Sequence, residues 1–167
     1  MPASPPAEPV EDGPAPTFWF RWLQAVTLGT ILFGLAMAAL PEPTRRGFSL
    51  MIYGEAGALA AFGSGVQPYL TLAHAVMGSV MMGWGLALWL TLQGPLRRGE
   101  RHGWNVFVVS LAGWFVPDTF VSLWTGLWPN ALLNSVFGLA FAVPLIAIRP
   151  GKRVGWVGPE RTRGPWH

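Results

Sequence analysis

The residue of this chain with the most evident chemistry is a carboxylate set inside a long apolar stretch. Asp118 lies in the sequence WFVPDTF, about ten residues, or roughly 15 Å, from the nearer end of the predicted helix. An ionised carboxylate at that depth in hydrocarbon is costly unless it is paired, hydrated or protonated. Residues four apart share a helix face, so Trp114, Asp118 and Ser122 are expected to point together into the interior of a bundle.

Other polar residues are predicted to lie at a similar depth in neighbouring helices. His74 lies near the start of one apolar stretch and Asn134 near the start of another, with Asn130 one turn before it. An Asp and a His can pass a proton near neutral pH, and the same groups can bind a substrate or an ion. The alternative is a structural lock, in which Asp118 is hydrogen-bonded to His74 or to an asparagine. The predicted polar site comprises Asp118, His74, Asn134, Ser122, Trp114, Glu55 and Tyr69.

Motifs for enzymatic chemistry are missing from the sequence. The chain has no cysteine, which excludes disulfides, thiolate metal sites and a cysteine nucleophile. It contains no His-x-x-x-His or Glu-x-x-His pair, no phosphate-binding glycine loop, no Gly-x-Ser-x-Gly elbow and no dinucleotide fingerprint. We therefore predict no metal and no cofactor, assign no catalytic residue, and favour a non-enzymatic role.

The elements that must position these residues are apolar helices. Hydrophobic residues make up 51% of the 167-residue chain and charged residues 11%, against about 25% charged in an average soluble domain. A helix needs about 20 apolar residues to cross a bilayer. The sequence predicts an all-α, polytopic integral membrane protein, a bundle of four transmembrane helices. The predicted spans are residues 18–40, 68–92, 104–127 and 131–148 of one membrane domain, 17–149.

The segment between the first two spans, residues 45–65, is apolar but interrupted by five glycines and by Glu55. This composition predicts a short interfacial or re-entrant helix over residues 48–62, with a fifth span as the alternative. Outside the membrane domain, residues 1–16 are rich in proline and acid and are predicted to be disordered. Residues 150–167 form a basic tail that can bind anionic lipid.

The distribution of Arg and Lys predicts the orientation of the chain. With four spans, both termini and the second loop lie on one side, and the positive-inside rule makes that side cytoplasmic. The predicted location is therefore the plasma membrane, an inner membrane of bacterial type. Because the basic residues flank apolar runs, they indicate orientation and not nucleic-acid binding. The cytoplasmic side holds Arg21, Arg97, Arg98, Arg101, Arg149, Lys152, Arg153, Arg161 and Arg163, and the other side holds Arg45 and Arg46.

Two prolines lie inside predicted spans. Proline has no N–H, so Pro117 should free the carbonyl of Gly113, and Pro144 that of Ala140. In lipid, a side chain, a water or a neighbouring helix must satisfy each carbonyl.

Two classes of function follow from these features. The first is a small accessory or scaffold subunit of a membrane assembly, which the absence of catalytic motifs and the many small-residue helix faces favour. The alternative is a membrane-embedded binder, carrier or enzyme for a small or lipid-like molecule, with an outer-leaflet pocket around Asp118 and His74. The expected partners are the lipid bilayer and either another membrane protein or further copies of this chain.

Overall fold

A computed structural model describes residues 17–149; the two predicted tails, residues 1–16 and 150–167, lie outside the described residues. All regular structure within 17–149 is helical. The α-helices of this part of the chain are α1 (Thr17–Ala39), α2 (Pro41–Tyr53), α3 (Gln67–Thr91), α4 (Arg101–Trp124) and α5 (Trp128–Ala147).

Four of these helices, α1, α3, α4 and α5, are long and apolar enough to cross a membrane. The prediction of an all-helical chain with four such helices is confirmed. α4 and α5 both begin three residues earlier than predicted, at Arg101 and Trp128. α4 ends at Trp124 because Gly126 adopts a positive φ of 76°, which turns the chain. α5 begins there because Pro129 suits a first helical turn.

The predicted bounds of the short helix, residues 48–62, are wrong. α2 instead begins at Pro41, directly after a bend at Leu40, because proline is favoured at the first helical position. It ends at Tyr53, because Gly54 adopts the left-handed conformation with φ 74° and donates its N–H back to Leu50. Short 3₁₀ turns at Ala58–Phe62 and Ser64–Val66 then lead into α3.

α1 and α3 lie in close antiparallel contact because glycines remove the side chains between them. A Cβ added to Gly34 would lie 2.5 Å from the backbone nitrogen of Met82, and one added to Gly78 would lie 2.5 Å from Cβ of Met37. Such contacts require the two backbones to approach as closely as membrane helices do at small residues. The glycines therefore fix which faces of α1 and α3 meet.

α4 packs mainly on α5, and indole hydrogen bonds link it to both α5 and α3. Trp104 of α4 donates from Nε1 to the carbonyl of Leu145 at 2.9 Å, and Trp84 of α3 donates to Oγ of Ser110 at 2.6 Å. The apolar core lies towards the end of the bundle opposite α2. Its buried members are Leu23, Leu88, Leu92, Leu96, Phe107, Phe141 and Leu145.

Candidate functional site

Asp118 belongs to a hydrogen-bonded cluster between α4 and α5, which we call the Asp118 cluster (Asp118, Ser122 and Asn130). Nδ2 of Asn130 donates to Oδ1 of Asp118 at 3.1 Å and to Oγ of Ser122 at 2.7 Å. The Ser122 hydroxyl donates in turn to the Asp118 backbone carbonyl at 2.7 Å, the local bond that serine often makes inside a helix. The cluster therefore joins the last turns of α4 to the first turn of α5.

Asp118 lies closer to the end of its helix than the sequence predicts. Asp118 lies six residues before Trp124, the last residue of α4, which is about 9 Å along the axis at 1.5 Å per residue. The expected 15 Å was too large because α4 ends at Trp124 and not at position 127.

Within residues 17–149, the ion pairs join Glu42 to two arginines and Arg98 to Glu100. Asp118 therefore has no cationic partner in the described part of the chain.

Two further polar atoms in the same interface are buried without a hydrogen-bond partner among the described residues. They are Oγ1 of Thr119 on α4 and Nδ2 of Asn134 on α5, and Asn134 is only 3% exposed. Phe115 of α4 contacts α5 at Gly138, since a Cβ added to Gly138 would lie 3.1 Å from the Phe115 ring. In an antiparallel pair, four residues further on α4 face four residues earlier on α5. Thr119, the residue after Asp118, and Asn134, one turn after Asn130, therefore lie at the same level, beside the Asp118 cluster.

His74 makes its hydrogen bond elsewhere, at the junction of α3 with α2. Its Nε2 lies 3.0 Å from Oγ1 of Thr44, and its ring meets the Phe48 ring edge-on, with 5.5 Å between centroids. No hydrogen bond within residues 17–149 joins His74 to Asp118. The predicted proton relay between these two residues is therefore not supported by a direct hydrogen bond within the described residues.

A second polar network surrounds the start of α2 and holds it on α3. Arg45 donates from Nη2 to Glu42 at 2.7 Å and from Nη1 to Oε1 of Gln67, also at 2.7 Å. Gln67 then donates to the carbonyl of Leu59 at 2.7 Å. Hydrogen bonds from Arg45 and then from Arg46 hold the pKa of the Glu42 carboxyl below its ordinary value. This network ties α2, the 3₁₀ turn and the start of α3 together.

The remaining predicted site residues are dispersed. The ring of Trp114 packs against Trp84 at 5.9 Å, in the middle of the bundle. The side chain of Glu55 is exposed, and only its carbonyl is engaged, by Oγ of Ser49 at 2.7 Å. Tyr69 is 70% exposed. It lines a shallow apolar groove of about 490 Å³ on the outer face of α3, together with Leu72, Ala73, Val76, Met77 and Val80.

The structure thus brings together Asp118 and Ser122 from the predicted set, with Asn134 one turn away, and adds Asn130 and Thr119. Asn130 has a signal in the sequence. A tight turn centred near position 125 makes α4 and α5 antiparallel, which places positions 118 and 130–134 opposite each other. Arg45 has a signal too, since Glu42 precedes it by three residues on the same helix face.

Comparison with protein-family models, curated proteins and solved structures gave no match. The chemistry of the site must therefore be inferred from its own residues. Among residues 17–149, no three His, Asp or Glu side chains are grouped so that they could hold a metal ion. The Asp118 cluster can accept hydrogen bonds through the carboxylate and donate them through the Asn130 amide, and the neighbouring Asn134 adds a second amide. It can join two helices, or hold a small polar group that lies between them.

Proposed function

We propose that this chain is an integral membrane protein that crosses the bilayer four times and serves as a small accessory or scaffold subunit of a membrane assembly. The four long helices support the first part, because their most apolar stretches have mean hydropathies of 1.6 to 1.7 and their outward faces are apolar. Leu32, Leu72, Val80, Leu90 and Val109 are examples of large apolar side chains on those faces.

The proposed orientation places both termini and residues 92–100 in the cytoplasm. At this end, the guanidinium of Arg149 lies 5.6 Å from the ring centre of Trp104, and Arg97, Arg98 and Arg101 lie in the nearby connection. At the α2 end, residues 17–149 carry two arginines, Arg45 and Arg46, against five at the opposite end. Both features support the same topology.

The observation that carries the subunit role is the contrast between the polar groups and the surface of α4. Asp118, His74 and Arg45 all bond to other residues of the chain, so these polar side chains hold helices together. In contrast, only 11% of the most apolar 18-residue stretch of α4 is buried, against 33% in α5. A helix that contributes so little to its own bundle offers a surface for another protein chain, either a different protein or a second copy of this one.

Single-cysteine labelling tests the topology cleanly, because the chain has no native cysteine. Glu55→Cys and Glu100→Cys form a matched pair, since both glutamates are exposed and lie at opposite ends of the bundle. In intact cells, a membrane-impermeant maleimide should label the cysteine at position 55, and should label that at position 100 only after permeabilisation. The reverse pattern would invert the topology, and labelling of both would contradict four spans.

Detergent-free extraction into polymer-bounded nanodiscs, followed by mass spectrometry, tests the subunit role. We expect a protein partner in fixed stoichiometry, retained by the Asp118→Asn variant because the Asp118 cluster then acts within the chain. A chain surrounded only by lipid would contradict the role of an accessory subunit.

A second candidate function is favoured by one specific observation. Asn134 and Thr119 carry buried polar atoms without a partner among the described residues, and they lie beside the Asp118 cluster, whose carboxylate has no cationic partner there. A binder of a small polar or lipid-like molecule would use these groups. It would retain a molecule in the nanodisc that both Asn134→Leu and Asp118→Asn release, whereas a scaffold subunit would show no such molecule.

A further inference from the structure

Two prolines inside the long helices remove backbone donors in the same way. Pro117 of α4 and Pro144 of α5 have no N–H, so the carbonyls of Gly113 and Ala140 lose the donor four residues ahead. In a hydrocarbon environment an unsatisfied carbonyl is costly, and neighbouring groups usually supply a hydrogen bond. Each of the two carbonyls therefore needs a hydrogen-bond donor from outside its own helix.

The chain meets this requirement at one of the two places. Nε1 of Trp22 donates to the carbonyl of Ala140 at 3.0 Å, from α1 to α5. No side chain within residues 17–149 donates to the carbonyl of Gly113. Gly113 and Pro117 are both exposed, and a Cβ added to Gly113 would meet no atom within 4 Å. Gly113, the residue that carries the freed carbonyl of α4, therefore lies on an open surface.

The surface around Gly113 is apolar and continuous. Val109, Val116 and Phe120 share its helix face at spacings of four, three and four residues, and they are 70%, 61% and 61% exposed. The one charged residue of α4 at this height, Asp118, bonds to Asn130 on α5. A partner packed on this face would therefore meet no charge.

We propose that this face of α4 binds the same face of a second copy of the chain, with the two helices crossing at Gly113. The proposal builds on the membrane insertion proposed above. Two copies in one membrane are related by a two-fold axis along its normal, so residues at equal depth meet. Gly113 supplies both the acceptor, its freed carbonyl, and a donor, its Cα–H, and the missing side chain lets the backbones approach. A contact between identical faces needs donor and acceptor at one level, and this face has both.

The exposed face of α3 provides the control. It is also apolar, with Val76 and Val80 54% and 67% exposed, and Gly83 on it is also open. The interior of α3 contains no proline that would free a carbonyl there, since Pro68 lies in its first turn. Lipid chains can cover the α3 face without leaving a polar group unsatisfied.

Single-cysteine crosslinking of the purified full chain in liposomes tests the proposal. Val116→Cys and Val109→Cys place a thiol on the α4 face, and Val80→Cys and Val76→Cys place one on the α3 face. Under mild oxidation at decreasing protein-to-lipid ratio, we expect a disulfide-linked dimer from the α4 variants, about tenfold more than from the α3 variants, because a disulfide requires Cα atoms within about 7 Å.

Two substitutions in the Val116→Cys background distinguish the contribution of close backbone contact from that of the freed carbonyl. Gly113→Leu should abolish the dimer by keeping the backbones apart. Pro117→Ala should weaken it about fivefold to thirtyfold, the effect of the two symmetry-related Cα–H···O contacts of the dimer, because it returns an N–H to the Gly113 carbonyl without blocking contact. Equal crosslinking from both faces, or Pro117→Ala dimerising as well as the parent, would overturn the proposal.

A membrane-integration control keeps the two proposals apart. Carbonate extraction should leave every variant in the membrane fraction. A chain that stays in the membrane but yields no dimer refutes the α4 contact alone, whether lipid or a different protein covers that face. A chain that carbonate removes refutes membrane insertion itself.

Discussion

The close contact of α1 with α3 can be tested by adding a single methyl group. In Gly78→Ala the new Cβ would lie 2.5 Å from Cβ of Met37 and 2.6 Å from the backbone nitrogen of Ala38. Carbon atoms pack at about 3.5 to 4.0 Å, so the helices must separate by about 1 Å. Because a backbone atom is involved, a rotamer change cannot remove the clash. Overpacking of this kind costs about 1 to 3 kcal/mol.

The matched control is Gly83→Ala on the same helix, where an added Cβ meets nothing within 4 Å. Both variants gain helix propensity, about 1 kcal/mol for glycine to alanine, so this term cancels in their difference. Gly78→Ala should therefore be less stable than Gly83→Ala by about 1 to 3 kcal/mol, which is about 5-fold to 140-fold in the unfolding equilibrium constant.

Unfolding by sodium dodecyl sulfate in mixed micelles gives the measurement. The chain has 10 tryptophans, so its fluorescence reports the transition without a label. Equal unfolding midpoints for the two variants would refute the reasoning, because they would mean that α1 and α3 do not approach at Gly78.

Three further predictions concern hydrogen bonds and can use the same assay. Asp118→Leu should lower stability by about 1 kcal/mol more than Asp118→Asn, which keeps an acceptor for its asparagine partner; equal effects would show that the bond is not formed. Trp22→Phe should lower the free energy of unfolding by about 1 kcal/mol. The loss should be smaller in a Pro144→Ala background, where position 144 regains an N–H for the Ala140 carbonyl; an equal loss in both backgrounds would show that Trp22 does not serve the carbonyl freed by Pro144. The lowered pKa of Glu42 means that its contribution to stability is complete above pH 4.5 and is lost as pH falls through the folded-state pKa; Glu42→Gln should remove that acid-dependent loss, and an unaltered pH profile would contradict the ion pairs.

The four long helices could be predicted from the sequence because length and apolarity are properties of each segment alone. The lateral arrangement of the side chains could not. Similar predicted depth suggests that His74 and Asp118 meet, but depth gives only one of the coordinates that decide whether two side chains are in contact. The rotation of each helix depends on what it packs against. Gly78 sets the face of α3 that contacts α1, and His74, one turn away on that face, therefore points towards α1 and α2.

The bounds of α2 show a second limit. A proline after an apolar stretch indicates the end of a helix, and Pro41 does follow the end of α1. The same proline also begins the next helix, since a residue without an N–H suits a first turn. The buried pair of Arg45 with Gln67, which are 22 positions apart, depends on that turn and has no local pattern in the sequence.

The tryptophans show how the same residue type can have different roles in one chain. In the sequence, Trp22 and Trp104 lie near predicted span ends, where an aromatic belt is expected. Yet both donate their indole N–H to backbone carbonyls of α5, at 3.0 and 2.9 Å, and Trp84 donates to Ser110 between α3 and α4. An indole N–H that is shielded from water needs an acceptor, and in a bundle short of polar side chains the nearest acceptors are carbonyls and hydroxyls of other helices. These indoles therefore link helices. Of the two carbonyls that Pro117 and Pro144 free, that of Gly113 is reached by no indole of residues 17–149, and it lies on the least buried of the four long helices.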